Sequence, residues 1–175
     1  MKIKNNISFQ TLINILQMDV DIIGSTLDSQ PLYLFKDTPD AINDISFYDY
    51  SIAIKYISEI GHASKFLSVV TGLDEDWILK QKAIRVYPIY INYIKQCKQI
   101  IDMFNAVNDE VPQGKGKTPK TMVEFGMLNV VDYITNEKPE LHSEFWDKPV
   151  IKIYILYRMK TYKMINTIAN QPKQN

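Results

Sequence analysis

With 175 residues, 46% of them apolar and 23% charged, the chain has enough material for one folded domain with a real core, and neither disorder nor a membrane protein is indicated. Twenty basic and twenty acidic residues balance to a net charge of zero, which removes overall charge as a reason to bind a polyanion. The single cysteine, Cys97, excludes an intramolecular disulfide, and with only His62 and His142 a Cys/His zinc site cannot be assembled without carboxylates.

Lys2 and Lys4 are followed by Asn5, Asn6, Ser8, Gln10 and Thr11 rather than by the apolar core of a signal peptide. No run approaches the roughly eighteen apolar residues of a membrane span, so the expectation is a protein kept in the cytoplasm or carried in a particle assembled there. Ser8 is placed to cap a first helix with Phe9, Leu12, Ile13 and Leu16 at helical spacing. Gly24 and Ser25 break the pattern, and Pro31 to Phe35 reads as a small extended segment. Asp37, Asp40 and Asp44 follow in a turn-like stretch. The glycine and alternate-residue ligands of a calcium loop are missing, so these aspartates read as solvated turn and cap residues.

Ser46-Phe47-Tyr48-Asp49 has the form of a capping box, and Ile54, Ile57 and Ile60 mark an apolar face up to Gly61. Phe66, Leu67 and Val70 define the next helix, with Gly72 as its terminal glycine and His62 as a surface residue at its start. Asp74, Glu75 and Asp76 then stand where negative charge complements the N-terminus of a third helix. Pro88 is tolerated in a first helical turn, which predicts a long helix from near Tyr87 to about Val107. Tyr90, Ile94, Cys97, Ile101 and Phe104 alternate spacings of four and three, the seam of a helix packed lengthwise, with Ile89, Tyr93 and Ile100 widening it. Cys97 in that seam reads as buried and inert.

Residues 108–120 carry Pro112, Gly114, Gly116 and Pro119 and form the clearest connector. Gly116-Lys117-Thr118 imitates the end of a phosphate-binding loop, but Val111 stands where the first glycine is required and no strand precedes it. Thr118 as cap and Pro119 as first helical residue explain the same letters. Met122, Phe125, Val130, Val131 and Ile134 predict a further helix ending before Pro139, in which Gly126 allows a close approach. Glu140, His142 and Glu144 lack the spacing of a zinc protease, and Phe145 and Trp146 anchor that short element. Asp147 and Pro149 open the last helix, with Val150, Tyr154, Tyr157, Thr161, Met164 and Ile168 inward.

Charge is unevenly distributed. From Lys148 onward there are five lysines and Arg158 without an acid, whereas Asn5 to Ile54 holds seven aspartates against Lys36. Asp37, Asp40 and Asp44 at one end, and Lys152, Arg158, Lys160 and Lys163 at the other, are therefore the candidate interaction surface. The tyrosines of the basic end recur at core spacing, so helix packing explains them better than base stacking, and direct DNA contact is the weaker alternative. A helix-turn-helix over His62 to Ala83 would point Asp74, Glu75 and Asp76 at phosphates. No nucleophile and base pair, metal set or phosphate loop stands out, so no enzymatic activity, cofactor or metal is expected.

The fold expected is mainly α, a single-domain helical bundle with at most a small extended segment near 31–35. Its parts are an N-terminal helical part, 1–107, with its core at 46–107, a connector at 108–120, and C-terminal helices, 121–175, on the same core. The run Ile45-Ser46-Phe47-Tyr48-Asp49-Tyr50, then a helix, Val70-Thr71-Gly72-Leu73-Asp74-Glu75 and an apolar helix, resembles small helical morphogenesis proteins of tailed bacteriophages. It looks most like tail-assembly chaperones, in which a helix leads through a Thr-Gly-Leu-acidic turn to a second helix, and it covers residues 45 to 107. The helices after Lys120 depart from that compact pattern and suit a ring or adaptor subunit between portal and tail. The Lys, Ile, Asn and Tyr-rich composition suits an AT-rich phage genome such as that of a crAss-like phage.

The resemblance implies a non-enzymatic, oligomeric neck or tail component of the virion, with itself and other phage structural proteins as partners. The alternatives are an assembly chaperone absent from the particle, and a small nucleic-acid-binding regulator using the basic C-terminal helix.

Overall fold

The computed structural model describes residues 7–18, 42–110 and 126–170, and within them the protein is mainly α. Eight α-helices follow in order: α1 (Phe9–Met18), α2 (Phe47–Ala53), α3 (Ala63–Thr71), α4 (Glu75–Lys80), α5 (Ala83–Asp109), α6 (Met127–Thr135), α7 (His142–Trp146) and α8 (Val150–Ala169). Short 3₁₀ turns lie at Ile42–Asp44, Ile54–Tyr56, Ile60–His62 and Pro139–Leu141. Among the described residues there is no strand, only isolated bridges between Ser8 and Lys82 and between Ser46 and Pro149. The segment 31–35, the phosphate-loop imitation at 116–118, Met122 and Phe125 lie outside the described residues, as does the connector beyond Glu110.

The chain divides into two compact units, one made of residues 1–45 and 49–98, the other of 46–48 and 99–175. The division falls inside α5, between Lys98 and Gln99, whereas the change of composition along the sequence falls at 108–120.

In the first unit, Ser8 caps α1 by accepting the Thr11 N–H at 3.2 Å, and Phe9, Leu12, Ile13 and Leu16 are all buried, as their spacing predicts. The start of α1 is tied to the junction of α4 and α5: the Phe9 N–H donates to the Gln81 carbonyl at 2.8 Å and the Ala83 N–H to the Ile7 carbonyl at 2.9 Å. Phe9, Phe66 and Tyr87 surround the Tyr90 ring at 6.5, 5.7 and 6.3 Å between centroids. Tyr50 is fully buried, and its hydroxyl donates to the Cys97 carbonyl at 3.3 Å, which offsets the loss of its water.

Three local expectations change. The long helix begins at Ala83, a turn before Tyr87, and Pro88 lies inside it. The Lys82 carbonyl already accepts the Arg85 and Val86 N–H groups, so the tertiary tie at Ala83 and this first turn nucleate the helix ahead of the proline. Ile54, Ile57 and Ile60 are not core positions: regular helix stops at Ala53, the chain passes into 3₁₀ turns, and the buried side chains are Phe47, Tyr50 and Ala53. Gly126 makes no close approach to any described residue either. Among the described residues a Cβ there would meet nothing within 4 Å, and the glycine answers instead to its φ of 47° before α6.

The junction of α3 and α4 is as the sequence specifies. Gly72 adopts the left-handed conformation, φ 69°, and returns its N–H to the Ser68 carbonyl, while the Asp74 side chain accepts the Trp77 N–H at 2.8 Å. Ser64 donates to Glu75 at 2.7 Å, and Ser68 to the Leu73 carbonyl at 2.7 Å, fixing the turn between them. Gly72→Ala is expected to lower the unfolding free energy by about 1–2 kcal/mol through backbone strain, since the space around it is open. Gly72→Asn should recover most of that loss, and urea unfolding midpoints of the two variants check it.

The second unit is built on an aromatic ladder. Phe47, fully buried, stacks on Trp146 at 5.3 Å and 26° and approaches Phe104 at 6.3 Å. Phe104 meets Tyr154 at 5.4 Å and Tyr157 at 5.6 Å, and Tyr157 meets Tyr133 at 5.5 Å. Offset and edge contacts of this kind add to the burial of each ring. The backbone closes around them through the Phe47 N–H, which donates to the Lys148 carbonyl at 2.8 Å, and the Tyr157 hydroxyl is hydrogen-bonded to Asn108.

Candidate interaction surfaces

α8 has two apolar faces. At 100° per residue, Val150, Ile153, Tyr157, Thr161 and Met164 share one side; Val150, Ile153 and Thr161 are buried, and Tyr157 and Met164 half-buried. Ile155, Met159 and Tyr162 fall on the opposite side and are 48%, 53% and 37% exposed. Isolated apolar residues at a surface need no explanation, but three on successive turns of one helix form a stripe. Lys152 and Lys163, both exposed, border it on one side and Arg158 on the other. Arg158 lies over the Tyr162 ring at 5.3 Å and donates to its hydroxyl at 3.2 Å.

The fourth basic candidate differs. Lys160 is half-buried, its ammonium donating to the Tyr133 carbonyl and, at 2.6 Å, to Asn136 Oδ1, and lying 4.4 Å from the Tyr133 ring centroid. It therefore supplies a cation to the C-terminus of α6, where Asn136 takes the left-handed cap and returns its own N–H to the Asp132 and Tyr133 carbonyls. Burial lowers its pKa, an effect opposed by the charges of Glu137 and Asp132. Ile168, expected inward, is 47% exposed. α6 accompanies α8 as far as Met164, whose sulfur receives the Tyr133 hydroxyl at 3.8 Å, and Ile168 stands one turn beyond.

Of the acidic candidates, Asp44 is exposed in the 3₁₀ turn Ile42–Asp44, while Asp37 and Asp40 lie outside the described residues. Glu144 pairs with Lys148 at 2.5 Å, and His142 Nε2 sits 3.3 Å from Asp132 without the alignment of a hydrogen bond. His62 lies half-buried, its Nδ1 3.6 Å from Glu59 and its ring edge-on to Tyr56. Among the described residues no three His, Cys, Asp or Glu side chains converge as metal ligands, and no helix is long and apolar enough to cross a membrane.

Within the seam of α5, Tyr90, Ile94, Cys97 and Phe104 are buried as their spacing requires, with Ile100 rather than Ile101 completing the row. Burial pushes the Cys97 thiol up to about 12, and burial together with neighbouring Tyr87 pushes Tyr90 up to about 12. Burial and Cys97 raise Tyr50 as well, and burial and Tyr133 raise Tyr157. The folded chain thus holds protons that the unfolded chain releases from about pH 8.5 for Cys and about pH 10 for Tyr. Stability from these groups is complete below that range and is lost as pH rises toward 12. A melting temperature that falls progressively above about pH 9, with Cys97 unreactive to iodoacetamide at neutral pH until the chain unfolds, is the expected outcome.

The outward stripe escapes a reading by apolar periodicity because α8 is apolar on both sides, so the two signals overlap. Its trace in the sequence is the four-then-three spacing of Ile155, Met159 and Tyr162, offset from that of Tyr157, Thr161 and Met164. Compared with known proteins, the chain matches no family model, no curated sequence and no solved structure.

Proposed function

We propose that this protein is a non-enzymatic structural or assembly component of a tailed bacteriophage, acting through protein–protein contacts as an oligomeric neck or tail subunit, a ring or adaptor between portal and tail. The observation that carries the reading is the two-faced α8: one side is buried in its own unit and the other presents Ile155, Met159 and Tyr162 between Lys152, Arg158 and Lys163. A helix of that kind has reason to meet a partner. Rings and tails are built from heterologous contacts, which need two complementary patches on each subunit. The basic helix is one candidate, and the acidic stretch containing Asp37, Asp40 and Asp44 is the other. The Thr-Gly-Leu-acidic turn between α3 and α4 is the stretch whose likeness to phage morphogenesis proteins the virion setting rests on.

Quantitative mass spectrometry of purified particles and of infected cells tests this reading. A ring component is expected in stoichiometric amounts in the particle. Presence in infected cells with absence from particles would assign the chain to assembly chaperones instead. A regulator that binds nucleic acid is disfavoured by Lys160, which is engaged at the end of α6 rather than held out to solvent. Such a regulator would show DNA affinity that falls with salt and with neutralisation of Lys152 and Lys163.

A further inference from the structure

The outward stripe of α8 is narrow. The exposed side chains Ile155, Met159 and Tyr162 span about 60° of the helix circumference, inside an arc of about 120° closed by Arg158 on one side and Lys152 on the other. That width suits one chain laid along the helix better than insertion into a bilayer, since the spacing of four and three is that of a helical seam. Two such stripes do not suit each other: laid face to face they would bring Arg158 and Lys163 of one copy against the same cations of the other. The complementary occupant is apolar with acidic borders. The chain itself contains one such sequence, residues 19–41, with Asp19, Asp21, Asp28, Asp37 and Asp40 against Lys36, interleaved with apolar residues that include Val20, Ile23, Leu27 and Leu32.

We propose that the Ile155–Met159–Tyr162 face of α8 receives the acidic, apolar stretch 19–41 of a second copy of this chain. The contact is head-to-tail, joins two different patches and so propagates around a ring or along a filament. It rests on the oligomeric reading above and names the surfaces involved. Lys152, Arg158 and Lys163 supply the borders that choose an acidic occupant, and the stripe supplies the apolar contact.

The test is the fluorescence anisotropy of a labelled synthetic 19–41 peptide titrated with the full chain, beside the sedimentation of the full chain alone. Saturable binding that weakens with salt is expected, together with a loss of at least about tenfold in affinity for Met159→Glu. Met159 is exposed, so the variant should keep the wild-type circular dichroism. A peptide with its aspartates replaced by asparagine should bind the wild-type chain equally poorly, a control that leaves the folded protein untouched. Equal affinity of wild type and Met159→Glu, or no binding of the peptide, would overturn the proposal while the oligomeric reading stands if the wild-type chain still sediments as an oligomer. Peptide binding by a chain that sediments only as a monomer would overturn the second-copy contact and the oligomeric reading together. Met159-dependent binding to phosphatidylserine vesicles without peptide binding would assign the stripe to a membrane surface and likewise overturn the proposal.

Discussion

Phe47→Ala is expected to lower the unfolding free energy by about 3–5 kcal/mol, the range for deleting a fully buried aromatic ring. Phe47 is the first rung of the second unit's ladder: it stacks on Trp146, approaches Phe104, and carries the N–H that holds the Lys148 carbonyl. Removing the ring leaves a cavity bordered by large flat side chains that cannot close over it without abandoning their own edge and stacking contacts. Trp146 reports the change directly, because its indole loses the partner stacked at 5.3 Å and its emission should shift to the red. Phe47→Leu keeps most of the volume and should lose less. A change below about 1 kcal/mol in urea unfolding of Phe47→Ala would mean that the ring is not packed as described.

Phe66→Ala carries a comparable expectation for the first unit, about 3–5 kcal/mol. Phe66 is fully buried on α3 and meets the Tyr90 ring edge-on at 5.7 Å and 85°. Its loss opens the cluster that keeps Tyr90 dry. Because burial is the main reason that Tyr90 is pushed up to about 12, spectrophotometric titration of the variant should find a tyrosine ionising closer to the ordinary value of about 10. Stability loss without that change would place the effect elsewhere than at Tyr90.

The parts of this fold legible from the sequence are those whose chemistry is local. Ser8, Gly72 and Asp74 each act on backbone groups within four residues of themselves, and each sits where its type is required. Mainly helical character and the buried row through Tyr90, Ile94, Cys97 and Phe104 followed from spacing alone. Tertiary forces decided the rest. Nothing near Ala83 in the sequence announces that the Ile7 carbonyl will receive its N–H and start a helix ahead of Pro88. Ile54, Ile57 and Ile60 carry a helical pattern, yet the chain leaves the α-helix at Ala53 and the pattern loses its meaning. Phe47, which as a letter belongs to a capping box, becomes the centre of an aromatic ladder formed with residues about fifty and a hundred positions away.

The candidate surface shows the same division. Charge asymmetry pointed to α8 as a whole, but two features required coordinates: that Lys160 turns onto the end of α6, and that Ile155, Met159 and Tyr162 face outward. Lys152, Arg158 and Lys163 are then the cations that border an exposed apolar stripe, so the surface is apolar between its charges rather than uniformly basic.

Sedimentation equilibrium of the chain over a wide concentration range tests most directly the proposal that this protein works by joining copies of itself. Masses that rise above the 20.4 kDa of one chain to multiples of it, with an association weakened by salt, are predicted. A single 20.4 kDa species at every concentration and salt would contradict it.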